Sequence, residues 1–229
     1  MQPALSIIIP TLNEARQISW RLKQLAALRR AGVEVILADG GSTDHTVELA
    51  TPLVDLVLNA PRGRAAQMNA GAACASGSAL LFLHADTKLP QHADGLIAAA
   101  LQQRAWGRFD ITLTGRHPML KVIAAMMNRR SRMTGIATGD QAMFVRRDVF
   151  EKLHGFAQIP LMEDVELSRR LRAFGYPACL PEKVISSGRR WKKHGLWRTI
   201  FLMWRLRLAY FFGADPHALA LAYGYSPAP

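Results

Sequence analysis

The sequence predicts an α/β fold, a mainly parallel central sheet flanked by helices, and three observations carry the prediction. Between Leu5 and Leu83, apolar runs alternate with stretches of helical periodicity, the βαβαβαβ order that puts helices on both faces of a parallel sheet. The first run, Leu5 to Pro10, is continuous and β-branched rather than alternating, as in a strand buried on both faces. Three runs end in polar clusters, Thr11 to Glu14, Asp39 to Asp44 and His84 to Asp86. Those clusters lie beyond the carboxyl ends of the strands, where open parallel sheets bind ligands.

Each element has its own signal. Asn13 is placed to cap a helix carrying Ile18, Leu22, Leu25 and Leu28, which Gly32 stops. Val33 to Ala38 is a second strand, Asp39 to Asp44 a turn, and His45 to Ala50 a helix. Val54 to Leu58 reads as a strand, Arg64 to Ser76 as a helix, and Ala79 to Leu83 as a strand ending at His84-Ala-Asp86. Farther on, Pro90 to Gln103 and Pro118 to Met133 are helical in pattern, with Gly107 to Thr114 extended between them. Met143 to Val145 is a strand, Asp148 to Leu153 a helix, Glu163 to Ala173 a helix, Pro177 to Pro181 a strand, and Leu196 to Phe212 a helix rich in Leu, Trp, Phe and Arg.

Half of the 229 residues are apolar, enough for one sizeable core, and no repeat, low-complexity tract or linker divides the chain. Cys74 and Cys179 have no metal-type spacing and suit a reducing cytosol. The N-terminus has neither the basic start nor the apolar length of a signal peptide, and no apolar run approaches the roughly 18 residues of a membrane span. The expected location is cytoplasmic, or peripheral at the inner face of the membrane. The net charge is +12, and Leu167 to Ala214 holds 11 Lys or Arg against one acid, Glu182. That concentration suits a diphosphate substrate, an anionic membrane or nucleic acid, though no usual nucleic-acid docking signature is present.

Five motifs occur in a fixed order: Pro10-Thr-Leu-Asn-Glu14, Ala38-Asp-Gly-Gly-Ser-Thr-Asp44, Gly63-Arg-Ala-Ala-Gln-Met-Asn-Ala-Gly71, His84-Ala-Asp86 and Glu163-Asp164. Together they resemble the family 2 glycosyltransferases of the GT-A fold, the nucleotide-diphospho-sugar transferase type, from Leu5 to about Trp191. The resemblance implies a single domain over 1–229, with a nucleotide-binding half at 1–115, an acceptor half at 116–195, and a C-terminal helix and tail at 196–229. Phe82-Leu-His-Ala-Asp-Thr87, Gly139-Asp-Gln141 and Arg189-Arg-Trp191 look like the subgroup associated with arsenosugar biosynthesis.

The resemblance also assigns roles, and each has a structural alternative. Pro10, Thr11, Asn13 and Glu14 line the nucleotide pocket, although Asn13 and Glu14 also suit a helix start. Asp39 recognises uracil or ribose, or fixes its own turn through an Asx bond, and Gly41 allows that turn. Arg64, Gln67 and Asn69 reach ribose or diphosphate, or are helix surface; Ala85 lies against the nucleotide. Asp86 is the expected ligand of a divalent cation, Mn²⁺ or Mg²⁺, that neutralises the leaving diphosphate. His84 stands where the family has its first Asp; it ligates Mn²⁺ better than Mg²⁺, bonds a ribose hydroxyl, or is a satisfied histidine.

Asp164 is the expected general base of a single displacement with inversion, and Glu163 orients the acceptor; two acids also suit a helix start. Gly139, Asp140 and Gln141 lie on the acceptor side. Arg190 holds diphosphate and Trp191 stacks on the acceptor, with Lys192 and Lys193 as auxiliary charge, or the segment is a solvated basic loop. The expected partners are a nucleotide-sugar donor, UDP-linked, and a small-molecule or lipid acceptor. The aromatic and basic helix from Leu196 either lies on an anionic membrane, closes the core, or forms a homodimer interface. Two alternatives compete: a sugar nucleotidyltransferase, whose Gly-rich phosphate loop is missing near the first strand, and a basic membrane- or nucleic-acid-binding protein on a degenerate transferase fold.

Overall fold

The computed structural model describes residues 4–189, 191 and 195–225. Its strands are β1 (Leu5–Thr11), β2 (Glu34–Asp39), β3 (Leu56–Asn59), β4 (Ala79–Phe82), β5 (Trp106–Thr114), β6 (Phe144–Arg146) and β7 (Ala178–Ser187). They form one seven-stranded sheet in the order β3-β2-β1-β4-β6-β5-β7. Only β6 runs against its neighbours β4 and β5; the other pairings are parallel. The chain moves outward from β1 through β2 to β3, then returns to place β4 on the other side of β1. The strand order therefore reverses between β1 and β4, the place where a crevice opens at the carboxyl edge of such a sheet.

The helices are α1 (Ile18–Lys23), α2 (Ala26–Arg30), α3 (Thr46–Ala50), α4 (Arg64–Cys74), α5 (Ala93–Gln103), α6 (Met119–Thr134), α7 (Arg147–Lys152), α8 (Glu163–Leu171), α9 (Leu196–Phe211) and α10 (Pro216–Tyr223). All seven residues of β1 are buried, so the continuous apolar run does mark a strand covered on both faces. Alternation divides the core in two. Ile7, Ile9, Val35, Leu37 and Leu81 pack with Ile18, Leu22 and Ile97 on one face, and Ile8, Ile36, Leu80 and Phe82 with Met68, Phe150 and Leu167 on the other. A smaller cluster of Leu161, Met162, Leu206, Leu219 and Ala220 joins the start of α8 to α9 and α10.

Some local expectations need correction. Asn13 caps no helix: it holds a left-handed φ of +54°, and its Oδ1 accepts the Thr43 N–H at 2.9 Å. The helix begins only at Ile18 and breaks before Ala26. Strand β7 continues to Ser187, past the expected end at Pro181. Phe109 pairs with Leu180 and Asp110 with Lys183, so Pro181 and Glu182 fall in a bulge, where a missing N–H breaks no ladder bond. Helix α10 was not foreseen. Its signals are Asp215, whose carboxylate accepts the His217 and Ala218 N–H groups, Pro216 in the first turn, and Gly224 at φ +81° after the last residue.

Candidate active site

A cavity of about 540 Å³ opens at the β1/β4 reversal. Pro10, Thr11, Leu12 and Glu14 line it beyond β1, and His84, Ala85 and Asp86 beyond β4. Arg64 and Gln67 come from α4, Glu163 and Asp164 from α8, Ser186 and Ser187 from β7, and Arg189 and Trp191 follow β7. Thr199, Met203 and Arg207 of α9 close it with Tyr223 of α10 and Tyr225.

The polar groups beyond β1 and β2 form a closed frame. The Asp39 carboxylate is buried; its Oδ2 accepts the N–H groups of Gly41 (3.0 Å) and Ser42 (2.7 Å), and its Oδ1 accepts the Ser42 hydroxyl (2.5 Å). This is the Asx turn weighed above. Gln67 Nε2 donates to the carbonyls of Thr11 (2.7 Å) and Ala38 (2.8 Å), tying the ends of β1 and β2 together. Gly40 gives this amide room, since a Cβ would stand 3.0 Å from the Gln67 amide carbon and press on it.

Asn13, Asp39, Gly41 and Asn69 are not among the cavity-lining residues. For Asn69 this is a correction: its Nδ2 donates to the Phe156 carbonyl (2.8 Å) and its Oδ1 accepts the Phe156 N–H (2.9 Å), pinning the loop after α7. Gln141 is likewise corrected. It is fully buried, and its Oε1 accepts the Thr138 N–H at 3.2 Å, closing a capping box around the 3-10 turn Gly139–Gln141.

That turn also claims His84. The imidazole Nδ1 meets Asp140 Oδ1 at 3.1 Å, and a Cβ on Gly139 would fall 2.5 Å from Nε2, so both ring nitrogens face the turn. Burial alone would push the imidazole down, but Asp140 raises it above its ordinary value. Burial likewise pushes Asp140 up, and His84, Arg64 and Arg207 together bring it below the usual carboxylate range. Asp140 thus anchors His84 to the Gly139–Gln141 turn, and a carboxylate on one ring nitrogen is also the usual support of a histidine that ligates a metal through the other.

Asp86 is the carboxylate left open at this end. Its one hydrogen-bond partner among the described residues is the Thr87 hydroxyl at 3.5 Å. Its loop is fixed by paired backbone bonds between Lys88 and Ile185, both 2.9 Å, which stitch it to β7. Among the described residues no three His, Cys, Asp or Glu side chains gather as a metal cage. One free carboxylate beside an open cavity does suit a hard cation that completes its shell with phosphate oxygens, the usual Mg²⁺ arrangement.

Helix α8 enters through Met162 at φ +69°, a conformation uncommon for a non-glycine residue, and this turn brings its first residues to the cavity. Asp164 Oδ2 accepts the Gly139 N–H and its Oδ1 the Val165 N–H, both at 2.7 Å, which fixes the carboxylate and leaves further lone pairs. Glu163 is 2% exposed and faces Arg64 at 3.5 Å. Burial pushes the Glu163 carboxyl up, with Arg64 opposing, and Glu163 in turn holds the Arg64 guanidinium above its ordinary value.

Arg189 reaches Glu14 at 3.6 Å across the cavity, and Trp191 lines it. Arg190, Lys192 and Lys193 lie outside the described residues. Arg207, Met203, Thr199 and Tyr223 were missed in the sequence. Arg207 sits among apolar residues of α9, and only the packing of α9 and α10 over α8 turns it inward.

Residues 6–153 match Glycosyl transferase family 2. A PGL/p-HBAD biosynthesis glycosyltransferase of Mycobacterium bovis is 38% identical over 94 residues, covering 38% of this chain and 37% of the relative. The probable glycosyltransferase YdaM of Bacillus subtilis is 26% identical over 200 residues, 76% of this chain and 48% of the relative. The match thus spans about half or less of these relatives' own length. In fold, the chain is similar to the mannosyltransferase PcManGT of Pyrobaculum calidifontis, solved with GDP-Man and Mn²⁺. The TM-score is 0.65 at 23% identity, covering 91% of this chain and 61% of that one. S. aureus TarS 1-349 in complex with UDP-GlcNAc gives 0.61 at 19% identity, covering 82% and 59%. With the family pattern running from β1 into α7, the chain belongs to the family 2 glycosyltransferases, on an α/β sheet of the GT-A type.

Proposed function

We propose that this protein transfers a sugar from a nucleotide-sugar donor, UDP-linked, to a hydroxyl of a small-molecule or lipid acceptor, with inversion. One observation carries the reading: Asp86, from the loop after β4, and Asp164, from the first turn of α8, line one cavity at the strand-order reversal. The base and ribose lie beyond β1 and β2, on the frame that Asp39 and Gln67 hold. A divalent cation on Asp86, Mn²⁺ or Mg²⁺, would supply the charge that makes the diphosphate a competent leaving group. The GDP-Man and Mn²⁺ of PcManGT and the UDP-GlcNAc of TarS support donor and cation as classes.

Asp164 takes the proton of the attacking hydroxyl. Its two backbone hydrogen bonds hold it in one rotamer, so a free lone pair meets the acceptor without a search. Glu163 stays behind it on Arg64 and fixes the start of α8. The arsenosugar subgroup rests on the Phe82–Thr87, Gly139–Gln141 and Arg189–Trp191 variants and bears only on the acceptor's identity.

A lipid acceptor is favoured by α9. Trp197, Phe201, Trp204, Leu208 and Phe211 form one stripe at helical spacing, each 57–81% exposed, with Arg198 and Arg205 exposed beside it. No helix among the described residues is long and apolar enough to cross a membrane, so α9 would lie in the interface of an anionic bilayer.

Calorimetric titration of UDP, GDP and UDP-sugars with Mn²⁺, Mg²⁺ or chelator tests the donor reading. Metal-dependent UDP binding that disappears in Asp86→Ala is expected; no nucleotide binding under any condition would overturn the transferase reading.

A further inference from the structure

Helix α9 presents three faces. At about 100° per residue, Thr199, Met203 and Arg207 fall on the side that walls the cavity, and Trp197, Trp204, Leu208 and Phe211 on the exposed stripe. The third face carries Arg198, Leu202 and Arg205. With Phe201 at the edge of the stripe and Ala222 of α10, they line a second groove, about 360 Å³, between the two helices. No residue lines both the groove and the cavity. Leu202 is the groove's half-buried member, packed on the Leu161, Met162 and Leu206 cluster; the other four are exposed.

The lining is two guanidiniums beside an apolar trough. Arg198 and Arg205 are seven positions apart, so they leave one face of the helix about 10 Å apart along its axis, and both long side chains reach a group held between them. Neither side chain makes a hydrogen bond or ion pair with another described residue. Neither α9 nor α10 contains an acid, so the helices that form the groove supply no counter-charge. A matching ligand joins an anion that accepts from both guanidiniums to an apolar part that covers Phe201, Leu202 and Ala222. Free phosphate leaves the trough wet, and a bare hydrocarbon chain leaves the cations unmatched. A phospholipid carries both in one molecule.

We propose that the groove between α9 and α10 seats the headgroup phosphate of an anionic membrane phospholipid, with Arg198 and Arg205 on the phosphate oxygens and the start of the acyl region against Phe201, Leu202 and Ala222. The proposal rests on the reading of α9 as a bilayer-facing helix: Phe201 belongs to both stripe and groove, which places the groove at headgroup level when the stripe is inserted. Because the same helix walls the cavity, a lipid held there fixes how the cavity meets the membrane.

The test titrates dihexanoyl phosphatidylglycerol, below its micelle concentration, into the full chain by calorimetry. Dihexanoyl phosphatidylcholine and glycerol phosphate serve as the neutral-headgroup and chain-free controls. Phosphatidylglycerol is expected to bind as one lipid per chain, and to weaken about fivefold in Arg198→Gln and in Arg205→Gln. Arg205→Lys keeps the charge but not the planar fork, and retains part of the binding. Melting temperatures should not change, since both side chains are exposed and unpaired. Lys23→Gln with Arg104→Gln removes two exposed cations outside the groove and should leave lipid binding as in the wild type.

Equal binding of glycerol phosphate would overturn the assignment in favour of a soluble anion, and equal binding of phosphatidylcholine would show that the headgroup charge is not read. Lipid binding that is unchanged when both groove arginines are replaced by Gln would also overturn it, as would an equal loss in the Lys23 and Arg104 control. Sedimentation with anionic vesicles separates the seat from the reading beneath it. Vesicle binding without binding of the single lipid overturns the seat and leaves α9 on the membrane; absence of vesicle binding sinks the membrane reading and the seat together.

Discussion

Beyond β1 and β2 the polar side chains are committed to backbone: Asp39 to its own turn, Asn13 to Thr43, and Gln67 to two strand ends. At the start of α8 and along α9, by contrast, charged groups face the cavity with few partners; Glu163 has one arginine at 3.5 Å, and Arg207 has no ion pair among the described residues. The first region is a rigid frame whose free surface is mainly backbone and small side chains. The second places charged side chains, Glu163, Asp164 and Arg207, against the cavity itself. A frame suits a donor whose nucleotide is one constant part, and a charged wall suits the partner that must be selected.

The sharpest way to break this contrast is at Asp164. Replacement by Asn preserves shape and keeps an acceptor for the Gly139 N–H, but removes the carboxylate proposed as the base. Sugar transfer is expected to fall by about 10²–10⁴-fold while nucleotide affinity stays within a factor of about two. Single-turnover assays with calorimetry separate the two quantities. If transfer survives within a few-fold, the charged wall is not where the proton goes.

On the frame the corresponding variant is Gln67→Leu. It leaves the Ala38 carbonyl without its side-chain donor, and the Thr11 carbonyl with only the Gly40 N–H at 2.9 Å. A loss of roughly 2 kcal/mol in urea unfolding is expected, with weaker nucleotide binding as a consequence of the loosened strand ends. A variant as stable as wild type would show that the frame is not held by this amide.

The two regions were also unequally legible in the sequence. β1, β2 and β4 could be read because strands buried on both faces are written as continuous apolar runs, and the motifs at their ends are contiguous. What Asp39, Gln67 and Asn69 touch was not legible, because a short-range motif does not say whether a side chain turns to a ligand or to a backbone carbonyl across the sheet. Asn69 meets Phe156, 87 positions later. His84 could not be placed either, since Asp140 reaches it only after β6 is inserted between β4 and β5. Arg207 was hidden for the same reason: only the way α9 packs with α10 over the start of α8 brings it to the cavity, and no local pattern records it. α10 was legible in the Asp215-Pro216 start and the Gly224 stop.

The stripe on α9 extends the comparison outward, because Thr199, Met203 and Arg207 of the same helix form the cavity wall. Trp204→Ala combined with Phe211→Ala is expected to weaken sedimentation with anionic vesicles about tenfold or more, because two aromatic groups that insert only in part lose a share of the roughly 1.5–3 kcal/mol that each would gain on full burial. Nucleotide affinity should not change. Wild type that ignores vesicles but forms a concentration-dependent dimer, lost in the same double variant, would assign the stripe to a second copy.

The smallest effect is expected at Glu163, where the charged wall meets the frame through Arg64. Burial raises its pKa in the folded protein, so folding favours the protonated form. The associated stability is fully present below the unfolded value of about 4.3, and is lost as pH rises through the folded value. Glu163→Gln cannot ionise, so it should flatten the stability profile over that window. Arg64 loses its partner but remains partly exposed to water, which moderates the cost of leaving it alone. Urea midpoints of both proteins at about pH 4 and about pH 8 decide the point: the difference between wild type and variant should shift in the variant's favour at the higher pH. A shift in the opposite direction would mean that Arg64 outweighs burial, and that the wall is a paired structural element like the frame.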